Sequence, residues 1–135
     1  MNYKQTDFTK LGDDYFPGFV GIEVVQVTKN FAIARMEIKK FHFAPNGYLH
    51  AGSIITLADT IAGYACLYNL PDKGISFTTI ELKSNFLGAV KNGFIKAEAS
   101  LQHPGKTTQV WDVDVRNEEN EKIIALFRCT QLILY

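Results

Sequence analysis

The sequence predicts an α+β fold, an antiparallel sheet of about six strands wrapped around one long central helix. Three observations carry this. The apolar stretch from Ala51 to about Asn69 exceeds ordinary strand length and meets no proline before Pro71, so it reads as a helix. Two β-like runs precede it and four follow. The connections within each group are hairpin-sized, which makes consecutive strands antiparallel neighbours.

The 135 residues fit one domain, 1–135, with 1–18 as an N-terminal helix and connection. At 47% apolar and 13% aromatic, nearly all of the chain is expected to pack. Fourteen basic residues offset fourteen acidic ones, so no global field draws nucleic acid or an anionic membrane. Neither partner is expected. Cys66 and Cys129 lie in apolar segments and form no CxxC pair, which predicts buried, reduced thiols and no metal. The N-terminus lacks an apolar leader segment, and no uninterrupted apolar run approaches the ~20 residues of a bilayer span. A cytoplasmic protein is the expectation.

In chain order, Tyr3, Phe8 and Leu11 suggest one short amphipathic helix over 3–12, ending near Gly12, with 13–18 as connection. From Val20 the period shortens towards two: Val20, Ile22, Val24 and Val27 form a strand, Thr28-Lys29-Asn30 a turn, and Phe31 to Ile38 a second strand. Pro45 and Asn46-Gly47 mark a loop. The helix follows, apolar almost all round, so most of its faces must be buried. Further strands are read at Ile75–Leu87, Gly93–Gln102, Thr107–Val115 (around Val110, Trp111, Val113) and Ile123–Leu134. This order is that of a hotdog fold. Six strands around one helix leave a sheet edge, which the last or second-to-last strand would cover by pairing across a dimer.

Asp59 is the residue out of place. It sits among Leu57, Ala58, Ile61 and Ala62, with no Lys or Arg three or four residues away, and a buried carboxylate is costly unless paired, at an interface, or engaged in chemistry. It is a candidate general base towards water or nucleophile on an acyl carbon. The N–H groups of Ala51, Gly52 and Ser53 open the helix and are orphan donors suited to an oxyanion, and Gly52 lets a ligand approach the backbone. His50 caps the helix, holds the loop or polarises a substrate, while the Asn46 amide turns the chain or positions a water. A nucleophilic Ser53–His50 pair lacks the surrounding elbow motif. His103-Pro104-Gly105-Lys106-Thr107 is a hairpin turn whose Lys106 and amides also suit phosphate groups.

The run Asn46-Gly47-Tyr48-Leu49-His50-Ala51-Gly52-Ser53 through Leu57-Ala58-Asp59 resembles the signature of the phenylacetic-acid-degradation (PaaI-like) thioesterases of hotdog fold. Ile80 to Leu87, ending Asn85-Phe86-Leu87, and the His103-Pro104-Gly105-Lys106 turn are similar to two further motifs of that family. The resemblance implies hydrolysis of an acyl-CoA thioester at sites shared between two subunits, in a homodimer that assembles into a homotetramer. CoA enters as part of the substrate and no cofactor is implied. Asp59 would activate water or attack, the Ala51 N–H would hold the thioester oxygen, and His50 and Gly52 would shape that turn. Thr79 would assist the water, and Gly105, Lys106 and Thr107 would lie near the CoA phosphates. Two positions depart from the pattern: Ala51 replaces the commoner Gly, and Ala44 stands where relatives carry Asn or Gln, with Asn46 the nearest amide. An alternative is a non-catalytic acyl-CoA or acyl-carrier binding protein, and a hydratase is a third. Phe41, Phe43, Tyr48, Tyr64 and Phe77 are candidate pocket walls.

Overall fold

The computed structural model describes residues 2–135; Met1 of the expected domain lies outside them. Six antiparallel strands, β1 (Ile22–Thr28), β2 (Phe31–Glu37), β3 (Ser76–Phe86), β4 (Phe94–Pro104), β5 (Thr108–Asn117) and β6 (Ile123–Leu134), form one sheet in the order β1-β2-β4-β5-β6-β3. The sheet curls around one long helix, Ala51–Tyr68, in the hotdog arrangement. This crossing between β2 and β3 sends β3 to the far edge, beside β6. The edges are therefore β1 and β3, not the last or second-to-last strands, because β5 and β6 both lie inside the sheet.

Alternation sets the inner face. Ala32, Ala34 and Met36 of β2, Ile95, Ala97 and Ala99 of β4, and Trp111, Val113 and Val115 of β5 are fully buried against Leu57, Ala58, Ile61, Ala62 and Ala65 of the helix. Small residues on the facing strands let the helix approach closely, and each large aliphatic buried there contributes about 1.5–3 kcal/mol. The strand residue before Trp111 that points outward is Val110; inward phase belongs to Gln109, which is buried with Nε2 donating to the Asn69 carbonyl (2.8 Å) and Oε1 accepting from Trp111 Nε1 (2.9 Å). By length and mean hydropathy alone the 18-residue helix would suffice to cross a membrane, but its apolar residues are the core of the sheet. Both thiols are buried as expected.

The N-terminal segment departs from the expected single helix. It consists of a one-turn 3-10 segment, Tyr3–Gln5, and two short helices, α1 (Phe8–Leu11), ending at Gly12, and α2 (Phe16–Val20). The expected connection is thus partly helical, and Val20 belongs to α2 rather than to β1. Pro17 in the first turn and Gly21 past the end (φ 90°) are the signals that delimit α2. The long helix is α3 hereafter.

Candidate active site

The start of α3 is built by the loop before it. His42 is buried; its Nδ1 accepts from the Lys39 N–H (2.9 Å), so Nε2 carries the proton and donates to the Val20 carbonyl (2.9 Å), tying the loop to α2. The His42 carbonyl in turn accepts from the His50 N–H (2.9 Å) and from Ser53 Oγ (2.7 Å). The Ser53 hydroxyl is thereby committed to the loop carbonyl rather than to the His50 ring. His50 is the N-cap: its Nδ1 accepts from the Gly52 N–H at 2.8 Å, and a Cβ on Gly52 would stand 2.9 Å from that nitrogen. The missing Cβ of Gly52 makes room for the His50 ring, and both residues border an apolar cavity of about 390 Å³ beside the start of α3. The Ser53 N–H donates to the His50 carbonyl (2.9 Å). Among the described residues this leaves the exposed Ala51 N–H as the unpartnered donor of the first turn.

Asn46 is exposed, and its Oδ1 accepts from the Tyr48 N–H (3.2 Å) while the Ala44 N–H donates to the Tyr48 carbonyl (2.8 Å). Both therefore serve the turn that leads to His50.

Two turns along α3, Asp59 is half-buried and looks towards β3. Its Oδ1 lies 3.4 Å from Thr79 Oγ, and burial holds its carboxyl above the usual carboxylate range. Thr79 faces inward in phase with Phe77, and a β-bulge at Ile80, between Thr79 and Glu81, shifts the phase of the strand beyond it. Thr79 Oγ also lies 2.6 Å from Oε1 of Gln131, its cross-strand partner on β6, which is fully buried. The sequence reading missed Gln131. Its signal was a polar residue in phase with Phe127, Cys129 and Ile133 on the inward face.

The Gly105–Thr107 turn lies at the opposite end of α3. Gly105 shares a cleft with Asn69 and Pro71, the Lys106 carbonyl accepts from the Tyr135 hydroxyl, and the Thr107 carbonyl accepts from the Ile133 N–H. Eighteen helical residues, about 27 Å, separate it from Ala51 in the same chain.

Two apolar cavities flank the start of α3. One, of about 390 Å³, is lined by Phe16, Phe19, Met36, Phe41, Phe43 and Thr56; the other, of about 280 Å³, has Ala51, Tyr48, Leu49, Ile54, Phe86 and Val90 in its wall. Phe41, Phe43 and Tyr48 thus line cavities, whereas Tyr64 packs on Phe8 (ring centroids 5.1 Å apart) and Phe77 on Gly63. A further cleft, lined by Lys83, Asp112 and Arg128, lies on the outer sheet face and holds none of the expected site residues. No cluster of three or more metal-ligating side chains occurs among the described residues.

A family model, described as the thioesterase superfamily, matches residues 46–124, from the loop before α3 into β6. The chain belongs to the thioesterase superfamily. This thioesterase is 34% identical over 111 residues to a 1,4-dihydroxy-2-naphthoyl-CoA hydrolase of Listeria monocytogenes, covering 82% of this chain and 89% of that one. To the acyl-coenzyme A thioesterase PaaI of Escherichia coli it is 31% identical over 110 residues, covering 81% and 75%. The solved structure of the E. coli PaaI protein superposes with a TM-score of 0.86 at 25% identity, over 99% of this chain and 94% of that one. Hydrolysis of thioesters is accordingly the activity of this PaaI-like hotdog enzyme.

Proposed function

We propose that the enzyme hydrolyses an acyl-CoA thioester at a site completed by two copies of the chain, with Asp59 as general base and the Ala51 N–H as oxyanion donor. The carrying observation is that Asp59 is a half-buried carboxylate with no cationic partner among the described residues, held above the usual range by burial, beside an edge strand. Burial makes it a stronger base than an exposed aspartate. Asp59 takes a proton from water as the water oxygen bonds to the acyl carbon. The carbonyl oxygen gains charge on the Ala51 N–H, where the α3 dipole favours it. The C–S bond then breaks, and the sulfur leaves with the proton from Asp59. CoA supplies the leaving thiol, and the chemistry calls for no metal or other cofactor.

One chain cannot supply both groups to one carbon, because they are about 12 Å apart along α3. Pairing of the free β3 edge with β3 of a second copy, antiparallel, sets the two α3 helices antiparallel as well. Each Asp59 then faces the partner's Ala51, and the Gly105–Thr107 turn of the chain that supplies Asp59, about 14 Å further along its own α3, is the one nearer to the incoming CoA. Ile80 and Leu82, exposed on β3, gain cover in that pairing. The apolar walls on either side of the start of α3 suit an acyl chain whose carbonyl rests on Ala51. Two such dimers assemble into a tetramer in this reading, and the location is cytoplasmic.

The test is release of free thiol from a panel of acyl-CoA esters by wild type and Asp59→Asn. Wild type should turn over at least one ester, and the variant should lose about 10²–10⁴-fold in kcat with its fold and oligomer unchanged. Unchanged turnover in the variant removes Asp59 from the mechanism. Binding of CoA esters without thiol release by wild type would favour the non-catalytic alternative.

A further inference from the structure

We propose that Gln131 is a positioning residue for Asp59, acting through Thr79: its buried amide oxygen takes the single Thr79 hydroxyl proton and so presents Asp59 with an acceptor rather than a donor. This rests on the reading of Asp59 as the general base.

Thr79 Oγ has two oxygen neighbours and one proton to give. Gln131 Oε1 is at 2.6 Å, inside the range of strong O–H···O bonds, and Asp59 Oδ1 is at 3.4 Å, beyond it. The proton therefore goes to Gln131, and a lone pair of Oγ faces the carboxylate. Gln131 is well placed to enforce this. It is fully buried, and its backbone is held between its partners Thr79 on β3 and Gln109 on β5. Its Nε2 is turned the other way, 3.5 Å from Cys129 Sγ. A primary amide at 0% exposure on an otherwise apolar strand face is costly to desolvate, and Thr79 is the oxygen-bearing side chain that satisfies it.

The consequence lies in the proton transfer. While Asp59 is charged, the Thr79 lone pair opposes it; once Asp59 has taken the water proton, its new O–H can donate to Thr79 Oγ, and Thr79 to Gln131. The chain Asp59–Thr79–Gln131 thus stabilises the protonated acid formed during attack, in the same direction as burial. Other titratable groups near Asp59 do not compete. Burial, then the Asp59 charge, pushes the Cys129 thiol up to about 12, so it stays neutral. Burial likewise raises Cys66 to about 12. Glu81 on β3 is exposed and accepts from Thr130 Oγ1 at 3.2 Å.

The experiment is the pH profile of kcat for wild type, Gln131→Met, Gln131→Asn, Thr79→Val and the double variant Thr79→Val/Gln131→Met, with Asp59→Asn as control. Removing or withdrawing the amide oxygen frees the Thr79 proton for Asp59, so both Gln131 variants should move the acidic limb to lower pH by about half a unit or more. In the Thr79→Val background the Gln131 substitution should cause no further shift. A limb that stays in place in both variants, moves up, or moves equally without Thr79 overturns the proposal; an upward shift would mean that the amide donates to Thr79 instead. Full activity in Asp59→Asn would defeat the underlying assignment of the base, whereas an inactive Asp59→Asn with unshifted Gln131 variants defeats only the role of Gln131.

Discussion

The Asp59 carboxylate and the Ala51 N–H lie on one helix, about 12 Å apart along its axis, with the first half-buried against β3 and the second exposed at the N-terminus. The carboxylate is costly to bury and the donor is free. Neither feature improves packing, and in the proposed reaction each acts together with its counterpart on a second chain.

The donor can be deleted without disturbing the helix. Ala51 is the first helical residue, where proline is tolerated, and His50 already has the extended backbone (φ −61°, ψ 133°) that a following proline requires. Ala51→Pro should therefore melt like wild type yet lose about 10²-fold or more in kcat, while Ala51→Gly, which keeps the N–H, stays active. Parallel thermal melts and thiol-release assays measure both.

Burial raises the Asp59 carboxyl above its unfolded value, so the folded state binds the proton more tightly than the unfolded chain. The stability gained from that proton is full below the unfolded value near 3.8 and is lost as pH rises through the raised folded value. At neutral pH wild type therefore carries an unfavourable buried charge. Asp59→Asn should raise Tm at pH 7, and the gain should vanish in acid, where Asp59 is neutral. Activity should fall on acidification at a pH above that of an ordinary aspartate. Melts and kcat across pH check both.

Cys66 and Cys129 are both buried, with thiols pushed up to about 12. Neither should react with a thiol reagent in the native protein at pH 8, and both should react in denaturant. Mass spectrometry of the labelled protein counts them.

Gly63 lies one turn beyond Asp59, and a Cβ there would stand 2.7 Å from the tip of the Phe77 ring. Gly63→Ala should cost about 1–3 kcal/mol by forcing Phe77 and its strand outward. Denaturant titration gives the loss, and a lower kcat beyond it would report movement of Thr79, two residues along β3.

How much of this could be read from the chain follows from the range of each interaction. The β1–β2 hairpin and α3 announce themselves through local periodicity, and Asp59 stands out because its neighbours in sequence are apolar. The helix Phe16–Val20 was legible in Pro17 and Gly21, but five residues carry too little pattern to outweigh the reading of 13–18 as connection. The position of β3 at the sheet edge was not legible, since pairing with β6 joins residues some fifty positions apart. Gln131 gains meaning only from that pairing, which brings it to Thr79.

The claim that one thioester is served by Asp59 of one subunit and Ala51 of the other is tested most directly by mixing two inactive variants. Asp59→Asn and Ala51→Pro subunits, unfolded together and refolded in equal amounts, should form mixed dimers in which one of two sites has both groups intact. Recovery of about a quarter of wild-type kcat is predicted, because half of the dimers are mixed and half of their sites are complete. A refolded mixture no more active than its parents, with mixed dimers demonstrated by mass spectrometry, would contradict a shared site.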